Sequence, residues 1–322
     1  MTRLNLDRIH RARVLINPVF LHSPQFECAA LGDVLGCSVT LKVETLNPVR
    51  SFKGRGTETA ISRLTQCAAA PAVVCASAGN LGQALAFSGA QRGIPVTVVA
   101  ARTANLFKIE RMRALGATVR LEGDDIEDAR LIARILAENE GAHLIEDSLN
   151  IATCEGAGTI GLELLERPSP LEVLVIALGG GALASGVGHV AKSVAPHIEV
   201  VAVQPEGAPA MALSWRSGSV VETDSIDTIA DGIAGRFPIP EVLDDLLSVV
   251  DDVLLVGEDS IKTGMRLLHG HAGVVAEPSA ALGVAAVLEN RERFAGRRLA
   301  TIICGSNVTT DDFERWVFRP AE

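Results

Sequence analysis

Residues 171–183 read LEVLVIAL-GGGAL, an aliphatic run unbroken from Val173 to Leu178 and followed at once by Gly179, Gly180 and Gly181. Such a run, without polar alternation, fits a strand covered on both faces, as in a parallel sheet between helices. The three glycines leave backbone amides exposed with no Cβ in front of them, which suits a phosphate. Similar runs occur outward in both directions: VTLKVE (39–44), AVVCAS (72–77), PVTVVAA (95–101), TVRLEG (118–123), EVVAVQP (199–205), VVDDVLLVG (249–257) and RLATIICG (298–305). Helical periods at 81–91, 105–115 and 125–138 lie between them. This alternation predicts an α/β fold. Two groups of four strands predict two doubly wound open-sheet domains. The small one covers 41–146, and the large one is assembled from 1–40 and 147–322, the pattern breaking at Asp147-Ser148-Leu149-Asn150.

The composition narrows the function classes. With 48% hydrophobic and 21% charged residues, the chain is globular. A net charge of −10 argues against a nucleic-acid partner, because phosphate backbones are held by Lys/Arg patches. The N-terminus MTRLNLDRIHRARVL has repeated charges and no apolar core, so no secretory signal is read there. The apolar stretch 173–184 is too short and too glycine-rich to span a membrane. A cytoplasmic protein is expected. The six cysteines show no CxxC pair and read as reduced core thiols. His269 and His271 point about 200° apart on a helix and make no metal clamp.

Four segments follow strands, where open parallel sheets place their ligands. Lys53, in Ser51-Phe52-Lys53-Gly54-Arg55-Gly56, is either a surface lysine in a helix cap or a desolvated nucleophilic amine. Ser77-Ala78-Gly79-Asn80 opens a helix and either caps it or holds an anion. Gly179-Gly180-Gly181-Ala182-Leu183 lacks the Gly-Lys-Ser/Thr of a P-loop and the acid of a dinucleotide fingerprint, so it reads as a phosphate cradle of another kind. Cys304-Gly305-Ser306-Asn307 is a turn or a polar contact at the end of the last strand.

In this order the four segments resemble the fold type II pyridoxal-phosphate enzymes, in the serine/threonine dehydratase and serine racemase branch. The resemblance runs from about Pro18 to Asn307. It implies the tryptophan synthase β-like fold, with the cofactor between the two domains. Lys53, beside Phe52, would carry pyridoxal 5'-phosphate, and Asn80 would contact its 3-oxygen. Ser77, Ala78, Gly79 and neighbouring amides would take the substrate carboxylate. Gly179, Gly180, Gly181, Ala182 and Leu183 would hold the phosphate. Cys304 would meet the ring nitrogen, and Glu277 would stand beside the cofactor. The family commonly forms homodimers.

Departures from the family pattern refine the expectation. A neutral thiol at the ring nitrogen makes a weaker electron sink, which favours β-elimination. Where racemases place a Ser, Ala78 stands, and it moves no proton. The carboxylates of the racemases' divalent-metal site fall here on Gln204 and Ala210, so no such site is expected, although a carbonyl-bound monovalent cation is compatible. Arg50 stands where the family usually has a Gly and is expected to place a bulky cation near the site entrance, which points beyond plain serine or threonine to a larger 3-hydroxy amino acid, aryl or acidic. The reading is a hydroxy-amino-acid ammonia-lyase yielding a 2-oxo acid and ammonia. With no carboxylic acid placed for the β-hydroxyl, its proton is expected from the cofactor phosphate. A β-replacement synthase of the cysteine synthase type and an amino-acid racemase are the alternatives within the family. A nucleotide-binding dehydrogenase and a non-catalytic binder are those outside it.

Overall fold

The structure, a computed structural model, describes residues 2–66, 70–166 and 170–319. Ten strands form two sheets: β1 (Gln25–Glu27), β2 (Ser38–Val43), β3 (Val73–Ala76), β4 (Val96–Ala100), β5 (Thr118–Leu121), β6 (His143–Leu144), β7 (Val173–Ala177), β8 (Glu199–Pro205), β9 (Asp252–Val256) and β10 (Arg298–Ile303). The larger sheet has the order β1-β2-β10-β7-β8-β9 and the smaller β5-β4-β3-β6. All pairs are parallel except β1 with β2. Every residue of β7 is buried at the centre of the main core, as its unbroken apolar run requires.

The grouping of strands departs from expectation at one place. The run at 39–44 does not join the small sheet: Ser38 to Val43 pair in register with Arg298 to Ile303. A boundary after 40 would cut through β2. Its partner comes from the other end of the chain, and no local pattern carries that information. β6 is only two residues long, which hides it from periodicity.

Two helices set the cleft between the sheets. The helix Lys53–Thr65 rests directly on Ile151–Glu166: a Cβ at Gly156 would lie 2.4 Å from the Arg55 carbonyl oxygen. The N-terminal segment is tied to the large-sheet side, where the Arg3 guanidinium bonds Asp245 at 2.7 Å and Arg8 bonds Glu155 at 2.6 Å. The five described cysteines are buried and free; Cys67 lies outside the described residues. Among the described residues no helix is long and apolar enough to cross a membrane.

Candidate active site

The chain crosses itself to bring Lys53 to Cys304. Phe52 N–H donates to the Cys304 carbonyl at 3.0 Å, and Ser51 pairs with Gly305 in an isolated bridge. Lys53 opens its helix with its amine 4.7 Å from the centre of the Phe52 ring. Its side chain is only 14% exposed, so it is no surface cap lysine. Arg55, from the same motif, is fully buried in a cluster with Lys42, Glu44 and Glu163 that fixes this end of the helix. The Cys304 thiol is buried; burial first and the charge of Glu277 second push its pKa up, so it stays neutral.

The asparagine segment closes β3. Ser77 Oγ accepts from the amides of Gly79 at 3.1 Å and Gly82 at 3.0 Å, capping the helix Asn80–Ala90. Asn80 donates to Glu277 Oε1 at 2.8 Å and accepts from Asn307 Nδ2 at 2.7 Å. Asn307 N–H donates to Glu277 Oε2 at 2.8 Å. Burial raises the Glu277 pKa, with Lys108 opposing. The two sheets are thus joined by a partly buried polar chain running through the site.

The glycine segment closes β7 and opens the helix Ala182–Val194, whose N-cap residue, Gly181, has no side chain to cap it. Gly181 has φ +104°, and a Cβ there would stand 2.3 Å from Val242 Cγ1, so only glycine fits. A cavity of about 230 Å³ unites Lys53, Ser77, Ala78, Gly79 and Asn80 with Gly179 and Gly180. It continues into an inner pocket of about 40 Å³ where Phe52, Gly181, Ala182, Leu183, Glu277 and Cys304 face one another. All the site residues named from the sequence therefore meet in one place. Arg50 does not. Its backbone turns through φ +52°, its carbonyl accepts from Ser306 N–H, and it lines a separate apolar cavity with Phe26 and Phe313.

Four further residues escaped the sequence reading. Asp147 lies after β6, with its carboxylate hydrogen-bonded to the Lys53 amine. Ser148, left-handed at φ +66°, accepts the Ala182 amide on its Oγ at 3.0 Å. Lys108, 4% exposed, reaches across the cleft to Asp231 at 2.6 Å. The rule that ligands sit beyond strand ends covers Asp147 and Ser148, but the two-residue β6 carries no strand pattern to apply it to. Nothing in the sequence distinguishes Lys108 or Asp231.

The site suits a phosphate-bearing ring with polar edges. Gly179, Gly180 and Gly181 lead into the helix without side chains, and Ser185 Oγ, in its first turn, is buried without a partner. So are Ser279 Oγ, whose residue lines the inner pocket, and Asp147 Oδ1. A family profile described as pyridoxal-phosphate dependent enzyme matches residues 16–305. The chain belongs to the pyridoxal-phosphate dependent enzymes. Within that family it is 36% identical to an L-threonine ammonia-lyase of Thermotoga maritima over 97% of this chain and 78% of the relative. It is 32% identical to an L-threo-3-hydroxyaspartate ammonia-lyase of a Pseudomonas species, over 90% and 91%. The solved structure of maize serine racemase superposes with a TM-score of 0.91 at 30% identity, covering 97% of this chain and 96% of that one.

Proposed function

We propose that this pyridoxal-phosphate dependent enzyme is an ammonia-lyase that converts a β-hydroxy-α-amino acid of the L-serine/L-threonine class, or a bulkier 3-hydroxy amino acid, to a 2-oxo acid and ammonia. The observation that carries the reading is the Lys53 amine, held inside a cavity shared by the glycine cradle and the asparagine segment. Lys53 holds the cofactor through its amine. Gly179, Gly180, Gly181, Ala182 and Leu183 take the phosphate, Asn80 the 3-oxygen and Cys304 the ring nitrogen. When bound, the cofactor supplies an electron sink for negative charge at the substrate Cα.

The chain's own groups do the rest. Ser77, Ala78, Gly79 and Asn80 receive the substrate carboxylate at the start of a helix, where amides and dipole favour an anion. Lys108 adds a cation nearby, its amine 3.7 Å from where a Gly79 Cβ would stand. The Lys53 amine, inside the cavity, would remove the α-proton. Glu277 holds Asn80 in place and lines the inner pocket with Cys304. Ala78 supplies no acid or base for a second face, which favours the lyase over the racemase.

A homodimer in the cytoplasm is part of the proposal. Exposed Phe26, Leu46 and Val275 around the Arg50 cavity supply apolar surface for self-association. A carbonyl-bound monovalent cation also belongs to it, and exchange of K⁺ for Na⁺ in the assay tests that part. The main test is a panel of L-serine, L-threonine, L-threo-3-hydroxyaspartate and phenylserine, each followed for 2-oxo acid and ammonia. Equimolar release from at least one of them is expected. Ammonia release that stops when a thiol is added, with a thioether formed instead, would point to the replacement synthase.

A further inference from the structure

We propose that Asp147 is the catalytic acid that protonates the departing β-hydroxyl. This inference rests on the lyase reading above and replaces the phosphate as the expected proton source. Three carboxylates line the cavity and its inner pocket among the described residues: Asp147, Asp231 and Glu277. Asp231 is committed to Lys108 through both of its oxygens, at 2.6 and 2.8 Å. Glu277 is committed to Asn80 and to the Asn307 amide. Asp147 alone touches the Lys53 amine, through Oδ2. The same oxygen lies 3.8 Å from where a Gly180 Cβ would stand, so it faces the gap between the lysine and the glycine cradle. Its other oxygen, Oδ1, is buried and has no hydrogen-bond partner. A desolvated carboxyl oxygen without a partner is costly unless a donor or a proton satisfies it.

The loop holds this side chain in position. Ser148 takes up a left-handed backbone at φ +66°, and its hydroxyl is anchored by the Ala182 amide. The neighbouring Asp147 is thereby carried to the cleft, and strain of this kind persists where the surroundings impose it.

The Cα–H bond breaks, Lys53 Nζ takes the proton, and the electron pair left behind forms the Cα=Cβ bond. The Cβ–O bond breaks with its electron pair going to oxygen, and the Asp147 carboxyl gives that oxygen its proton, so water departs. The Lys53 ammonium then returns a proton to Asp147 across the contact they already share. The net loss is one water, and both side chains end as they began.

A leaving group that needs no proton separates this role from any other. In the holoenzyme, Asp147→Asn should slow L-serine or L-threonine turnover about 100-fold, the usual scale of a lost general acid. Turnover of 3-chloro-L-alanine, which expels chloride, should fall less than tenfold. Absorbance titration should show cofactor affinity within tenfold of the unaltered enzyme, because the amide keeps the shape of a neutral carboxyl. Should the asparagine variant misfold, Asp147→Ala carries the same test, with formate expected to restore L-serine turnover and to leave 3-chloro-L-alanine unaffected. Equal losses on both substrates, no loss on either, or cofactor affinity weakened more than tenfold would each overturn the assignment. If the unaltered holoenzyme consumes 3-chloro-L-alanine and no β-hydroxy amino acid, the lyase reading itself fails and this inference fails with it.

Discussion

Glu163→Gln removes one charge from a buried cluster in which two cations face two anions. Arg55 donates to Glu163 at 2.6 and 2.8 Å, Lys42 donates to it at 2.6 Å, and Glu44 accepts from Arg55 twice at 2.8 Å. Glutamine leaves one cation uncompensated out of water, a loss of about 3–5 kcal/mol. A second route gives a similar figure. Burial alone would raise the Glu163 pKa, but Arg55 and Lys42 outweigh it and hold it to about 2. Against an unfolded value of about 4.3, at about 1.4 kcal/mol per unit, that gap is worth about 3 kcal/mol. Because the folded pKa is the lower one, the stabilisation is complete well above pH 4.3 and is lost as pH falls toward 2. By pH 4 roughly 0.6 kcal/mol should be gone. Urea unfolding of both proteins, followed by the fluorescence of Trp215 and Trp316, measures the difference at pH 7 and again at pH 4. A difference under 1 kcal/mol at pH 7, or one that widens on acidification, would refute the reasoning.

Three other substitutions probe the site. Ala78→Ser introduces a hydroxyl at the asparagine segment and should raise D-isomer formation from L-serine, read by chiral chromatography; an unaltered enzyme already making D-isomer as fast as oxo acid would contradict the lyase reading. Gly181→Ala forces a side chain into φ +104° and against Val242, and the backbone alone costs about 1–2 kcal/mol. Its cofactor affinity should drop at least tenfold by absorbance titration, and retained affinity would remove this loop from the phosphate seat. Cys304→Ala should weaken cofactor binding by about 1–2 kcal/mol, one lost hydrogen bond, and an indistinguishable variant would make Cys304 a core thiol like the others.

The sequence made some of this legible and concealed the rest for physical reasons. β7 and its glycine turn could be read because a strand buried on both faces must be apolar throughout, and glycine repeats mark bare amides. The membership of β2 in the large sheet could not, since its pairing with β10 joins opposite ends of the chain. The motifs at Lys53, Asn80, Gly179 and Cys304 were legible singly as strand-end turns, and only the fold puts them in one cavity. Arg50 was misplaced because residue order gives no sign of the left-handed turn that sends it to the other side of the segment. Asp147 was missed because a lone aspartate in a loop after a two-residue strand looks like any solvated turn.

The central claim is that Lys53 is both the tether of the cofactor and the base of the reaction, and one measurement addresses it directly. Purified protein and its Lys53→Ala variant are each titrated with pyridoxal 5'-phosphate, scanned near the visible edge, treated with borohydride, and digested for mass analysis. The account predicts a visible band and a reduced cofactor adduct on the peptide carrying Lys53, with both the band and turnover lost in the variant. An adduct on another lysine, or a variant that keeps its band and turnover, would contradict it.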